Sequence, residues 1–355
     1  MELNNIIFSS LLALFVFFVS KSLLNVFNKI EFKIFKDDQF NKPQAFHENS
    51  TYRLGGVVIF VSLSILFFYL FVSEKYFMTE YISFCTLFFF LGLVDDLRIE
   101  VKPKLRLLIM IAFLLFLIIF HEFKIERISL EYLERLMKID IFALFFLCLC
   151  FLFIINGSNL IDGFNGLLSI HSVIILGILS YINFIHENYN FAYLLFNVCL
   201  IIVIFIKFNF PKAQMFLGDG GAYLIGALIS VSTIVTNNFI PSISSFFFCI
   251  ILFYLFFEVF FSFFRKIFVV HQNPLFPDRK HLHMLIYNLF LRKYKNKLKS
   301  NYKVSIYVNL FYLLLLVPSL IFMNNAIFCR YYFLLLLIIY TFIYKIFYNM
   351  EKNIE

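Results

Sequence analysis

Apolar runs of membrane-spanning length recur eleven times along this 355-residue chain. A run of about 17 to 25 such residues crosses a hydrocarbon core of roughly 30 Å, and every backbone polar group inside it must be bonded within its own helix. The runs cover residues 5–27, 54–73, 78–94, 105–120, 140–156, 168–185, 191–207, 221–236, 243–264, 304–322 and 331–347. Alternating ten-residue segments of the β-barrel kind are missing. The first run, Ile6 to Val26, lacks a basic leader and a small-residue cleavage site, so it is read as a helix and not as a signal peptide. The expectation is an all-α, polytopic transmembrane bundle of about eleven helices.

Charge sets the orientation. Charged residues are 15% of the chain, and the hydrophobic share of 62% leaves few places for them. Short loops rich in lysine and arginine stay cytoplasmic. With the N-terminus outside, 24 of the 30 basic residues fall on the cytoplasmic side, which predicts N-terminus out and C-terminus in. The net charge of +8 then serves topology and attracts anionic headgroups and phosphates, with no nucleic-acid partner required. The six cysteines lie in or beside apolar runs without metal-ligand spacing and read as packing residues. No repeat or long linker divides the chain, so residues 1–355 are read as one domain. The stretch from Arg265 to Lys303 predicts a loop followed by an amphipathic surface helix.

Acids and amides are costly near hydrocarbon, which makes four polar clusters informative. The first places Asp95 and Asp96 side by side at a helix end, ahead of Pro103, Lys104 and Arg106. Two carboxylates there oppose the helix dipole and call for a cation or a basic partner. The second is Asn156-Gly157-Ser158-Asn159-Leu160-Ile161-Asp162-Gly163-Phe164-Asn165-Gly166, whose three- and four-residue spacing brings two amides and a carboxylate to one side of a helical turn. Such oxygen ligands suit magnesium better than zinc. The third, Asn209 to Gly221, is a glycine-rich turn opening a helix. Asp219 there is either an N-cap or a metal ligand beside a phosphate. The fourth, His271 to His283, gathers Arg279, Lys280, His281 and His283 into a cationic group able to clamp a diphosphate. Under the eleven-helix topology all four face the cytoplasm.

These residues resemble the polyprenyl-phosphate N-acetylhexosamine-1-phosphate transferases, the WecA- and TagO-like branch of the glycosyltransferase 4 type. That family also contains the phospho-MurNAc-pentapeptide enzyme. The likeness spans about residues 40–290 and rests on five motifs in order: Arg53-Leu54-Gly55-Gly56 preceded by His47, the Asp95-Asp96 pair, Asn156 to Gly166, Asn209 to Gly221, and Pro277 to His283. The resemblance implies a bacterial inner-membrane enzyme that passes N-acetylhexosamine-1-phosphate from a UDP-sugar, UDP-GlcNAc by default, to undecaprenyl phosphate. UMP is released and a cell-envelope glycan begins, lipopolysaccharide among the candidates.

It also implies magnesium, with manganese as a substitute, on Asp219 and Asn159. Asp95, Asp96 and Asp162 take catalytic roles, and His47, Asn156, Lys104, Arg279, His281 and His283 take substrate-binding roles. A homodimer is compatible with it. Asn165, Met284 and Met110 depart from the family pattern and read as subfamily variation. The alternative is a secondary transporter, which expects ionisable residues and broken helices near the bilayer midplane. Here the acids sit at helix ends, with Glu258 as the main exception.

Overall fold

The computed structural model describes residues 3–30, 34–38, 46, 50–73, 75, 78–99, 101–274, 276 and 278–352. His47 lies outside the described residues. The helices in chain order are α1 (Leu3–Ile30), α2 (Gly55–Ser73), α3 (Thr79–Asp96), α4 (Pro103–Phe120), α5 (Glu131–Met137), α6 (Asp140–Ile161) and α7 (Leu167–Ile185). They continue as α8 (Tyr189–Asn209), α9 (Gly218–Phe239), α10 (Ser245–Ile251), α11 (Phe253–Phe264), α12 (Leu282–Tyr294), α13 (Lys297–Ile321) and α14 (Ala326–Lys352). A π-helical turn, Arg265–Val269, extends α11.

Among the described residues nine of these helices are long and apolar enough to cross a membrane. The bent pair α10 and α11, with a 72° angle between them, is either one broken span or a re-entrant loop. Helix α3, which carries Glu80, Asp95 and Asp96 in its 18 residues, falls outside that set, so the described residues give nine crossings, or ten with the bent pair, where the sequence predicts about eleven. The chain is thus a multi-pass helical bundle, as its apolar runs require. The run at 243–264 hides the bend. At that break Tyr312 of α13 donates its hydroxyl to the Ile251 carbonyl, satisfying a backbone group the interrupted helix frees.

Helix α9 is the axis of the bundle. Every residue from Gly220 to Ile234 is buried. Small side chains allow it, because glycine, alanine and serine let helix backbones approach closely in lipid. Helix α3 crosses it where a β-carbon on Gly92 would collide with the Asp219 carbonyl, and α2 crosses where one on Gly56 would strike Gly221. Hydrogen bonds fix the register of the helices. Tyr81 of α3 donates to Ser232 at 2.9 Å, and Asn183 of α7 donates to Thr236 at 2.9 Å.

Two boundaries differ from the sequence expectation and matter to the site. Asp95 and Asp96 lie inside the last turn of α3, and α9 opens at Gly218, so Asp219 is in its first turn. Strands too short to signal themselves also form a small sheet. Strand β1 (Lys36–Asp37) pairs antiparallel with β2 (Thr51–Arg53), and β2 pairs parallel with β3 (Met215–Phe216). The sheet ties the loop before α2 to the segment leading into α9. A helix follows the basic loop, α12, but it is no amphipathic surface helix in its first half, where Leu282 to Tyr287 are all buried; only its end, with Arg292 and Lys293, is exposed.

Candidate active site

A cavity of about 560 Å³ opens where α3 ends, α4 begins and α9 begins. Asp95, Asp96 and Asp219 line it together with Asp37, Arg53, Arg98, Lys102 and Arg106. Three of the sequence's candidate acids therefore share one chamber with a comparable number of cations.

Each acid is held differently. Asp95 is paired with Arg106, Oδ2 to Nη1 at 2.5 Å. Asp96 is 3% exposed, and both its oxygens are engaged by the start of α9: Oδ1 accepts from the Asp219 amide at 3.0 Å and Oδ2 from the Gly220 amide at 2.9 Å. It caps a helix that begins 122 positions along the chain, filling donors that the first turn leaves free. Gly218 makes room for it: its φ is +78°, and a β-carbon there would meet the Asp96 carboxylate. Arg53 lies 3.6 Å from Asp96 while its Nε and Nη2 bind Asp37 at 3.1 and 2.7 Å. Asp219 is the accessible acid, 31% exposed. Its carboxylate accepts no hydrogen bond among the described residues, and Arg106 stands 3.8 Å away.

The polar loop after α6 adjoins this chamber. Asp162 follows the last residue of α6 and is half-buried. Withdrawal from water, then the negative charges of Asp219 and Asp96, raise its pKa well above the ordinary carboxylate value, with Arg53 opposing. A carboxyl raised on folding lends stability in full below about pH 4 and loses it as pH climbs through the folded pKa. Asp162→Asn, whose amide mimics the neutral acid, should therefore gain thermal stability over the parent as pH rises, with the two melting points converging in acid. Melting curves from pH 4 to 9 without added magnesium test this, and parallel curves would contradict it.

Asn156 donates to the Leu152 carbonyl of its own helix at 2.8 Å, and the Asn159 amide makes no side-chain bond among the described residues. Asn165 is a brace. Its Nδ2 donates to the Pro211 carbonyl at 2.9 Å, which an ionised aspartate there could not do, and its backbone amide donates to Asn301 at 2.8 Å. Asn209 spans from the Gly166 amide to the Met215 carbonyl, joining this loop to β3.

The basic loop forms a second polar group. His281 and His283 are buried and stack, with ring centroids 5.6 Å apart. Glu258 of α11 lies 3.1 Å from His281 Nδ1 and 3.7 Å from His283 Nδ1. His283 also meets Phe164 edge-on, two residues beyond Asp162. Burial would raise the Asp278 carboxyl, but His281, Arg265 and Lys266 outweigh it and hold it below its usual value. Arg279 is exposed and enters no ion pair among the described residues.

Lys104 is exposed and does not line the cavity, whereas Lys102 and Arg106 do. Positions four apart share a helix face, and the residue midway between them is turned about 200° away. That spacing was the signal available in the sequence for Arg106. For Arg53 the signal was its place beside Gly55-Gly56.

The bundle thus gathers carboxylates and guanidinium groups in one chamber at its helix ends, an arrangement suited to charged ligands. The glycosyl transferase family 4 model matches residues 78–237. The phospho-N-acetylmuramoyl-pentapeptide-transferase of Dictyoglomus turgidum is 30% identical over 250 residues, covering 66% of this chain and 76% of that protein. The undecaprenyl-phosphate alpha-N-acetylglucosaminyl 1-phosphate transferase of Thermotoga maritima is 28% identical over 284 residues, or 79% of this chain and 80% of its own length. This chain belongs to the polyprenyl-phosphate hexosamine-1-phosphate transferases of glycosyl transferase family 4.

Proposed function

We propose that this protein transfers N-acetylhexosamine-1-phosphate from a UDP-sugar, UDP-GlcNAc by default, to undecaprenyl phosphate in the bacterial inner membrane, releasing UMP and starting a cell-envelope glycan. The observation that carries the reading is Asp219, an accessible carboxylate that accepts no hydrogen bond among the described residues, in a chamber with Arg53, Lys102 and Arg106. Donor and acceptor are both anions, so the first requirement is neutralisation, which these cations supply along with the exposed Arg279. An oxygen of the acceptor phosphate attacks the sugar-proximal phosphorus, the bond to the UMP oxygen breaks, and the sugar C1–O bond stays intact. An acceptor monoester is largely dianionic at pH 7, since its second pKa is near 6, so it needs little help from a base. Asp95 and Asp96 accordingly act by position: one orients Arg106, the other the start of α9.

Magnesium suits the residues present. Among the described residues no three histidine, cysteine or acidic side chains gather as a closed metal cage. This ion characteristically takes one or two carboxylates together with water and substrate phosphates. Asp219 would hold it, with the free amide of Asn159 as a second ligand, and manganese would substitute. When bound, the ion supplies charge neutralisation on phosphate oxygens.

The orientation proposed is N-terminus out and C-terminus in, on the strength of the 24 cytoplasmic cations. A cysteine introduced beside Asp219 should resist an impermeant reagent applied from outside, while one in the 121–139 loop should react. The reverse pattern would overturn the orientation. For the donor, purified protein given undecaprenyl phosphate and a panel of UDP-sugars should prefer UDP-GlcNAc. Preference for the muramoyl-pentapeptide donor would move the chain to the other branch of its family.

A further inference from the structure

Glu258 is a carboxylate inside a phenylalanine-rich helix, only 1% exposed, and the transfer chemistry above makes no use of it. An intramembrane acid without a partner is costly enough to require an explanation. Its partners come from the loop 20 residues onward. His281 has a carboxylate at each ring nitrogen, Glu258 at 3.1 Å from Nδ1 and Asp278 at 3.4 Å from Nε2. Both carboxylates thus lie against the one imidazole. Asp278 is in turn held by Arg265 at 2.6 Å, and Arg265 sits at the base of the same helix as Glu258. The circuit Glu258, His281, Asp278, Arg265 closes on itself. Arg279, the exposed cation with no ion pair among the described residues, lies on the segment that the circuit clamps, between Asp278 and His281.

We propose that Glu258 is a positioning residue for the donor: through His281 and Asp278 it latches the 278–283 segment to α11 and so fixes where Arg279 meets the diphosphate. The latch rests on the reading of this chain as a sugar-phosphate transferase. Tyr254, whose hydroxyl lies 3.2 Å from His283 Nδ1, completes the buried end of the network by restraining the second imidazole. His283 Nε2 is buried with no hydrogen-bond partner among the described residues, so the contacts described hold this ring from its Nδ1 side. Glu258 thereby acts on donor binding without touching the reacting atoms.

The test is a double-mutant cycle read as donor KM, kcat and UDP-GlcNAc affinity by calorimetry. Glu258→Gln should raise the donor KM and Kd about tenfold with kcat within about threefold, the pattern of lost donor positioning. Combined with Arg279→Ala, it should add less than about twofold to the single Arg279→Ala loss, because both changes remove one arrangement and residues in one network are not additive. Independent losses that multiply, or an unchanged donor Kd in Glu258→Gln, would overturn the latch. Asp278→Asn breaks the circuit from its solvent side and carries the same cycle if the buried substitution yields no folded protein. A parent that binds the donor yet moves no sugar phosphate would refute the proposed function, and the calorimetric cycle would still decide the latch.

Discussion

Asp219→Ala is expected to abolish sugar-phosphate transfer while leaving the bundle folded. The side chain is 31% exposed, accepts no hydrogen bond among the described residues and faces a chamber of cations, so its removal leaves no buried group stranded. Its backbone amide, which Asp96 holds, survives the substitution. In the proposed metal role, loss of this carboxylate removes several kcal/mol of charge stabilisation in the transition state, or about a thousandfold or more in rate. Asp219→Asn should fail nearly as completely, since an amide oxygen is a neutral and weaker ligand. The check is turnover at saturating donor and lipid across a magnesium titration, alongside a melting curve. An alanine variant with near-parent turnover at ordinary magnesium would take Asp219 out of the metal site.

The second large effect is at Asp96, where stability and activity should fall together. Its two oxygens accept the Asp219 and Gly220 amides, and hydrogen bonds to a charged acceptor contribute about 1.5 to 3 kcal/mol each. Asp96→Ala should therefore cost about 2 to 5 kcal/mol, reading the pair conservatively because such terms are not additive. The first turn of α9 carries Asp219, and displacement of a catalytic group by about 1 Å costs on the order of a hundredfold. Asp96→Asn should be little better, because its amide nitrogen would face a backbone N–H. A general base predicts another pattern: Asp96→Asn would lose turnover and keep the parent's melting point. Measured together, melting temperature and kcat decide between the two roles.

Much of the architecture was legible because lipid leaves a chain few options. The apolar runs identify most of the crossings without any tertiary information. The acids were legible as chemistry, since Asp95, Asp96, Asp162 and Asp219 stand out in an apolar chain. What each acid does was not legible. Asp96 finds its donors at Asp219 and Gly220, and no local pattern announces a cap supplied from that far away. The bend at Leu252 was hidden because the Ile251 carbonyl beside it is satisfied by Tyr312, 61 positions on, within uninterrupted apolar sequence. Glu258 was visible as the exception to acids at helix ends, but its partners, His281 and His283, come from a separate segment that no local pattern ties to it. Lys104 attracted attention by its charge, although Lys102 and Arg106 occupy the face turned to the chamber.

The central claim concerns which bond breaks, and a doubly labelled donor addresses it directly. Purified protein would be given undecaprenyl phosphate, magnesium and UDP-GlcNAc carrying one label in the sugar-proximal phosphate and another in the uracil. The account predicts that the phosphate label enters an organic-extractable lipid in equal amount to uracil label released as UMP. Uracil label released as UDP with the phosphate label left in water, or no label in lipid at all, would contradict it.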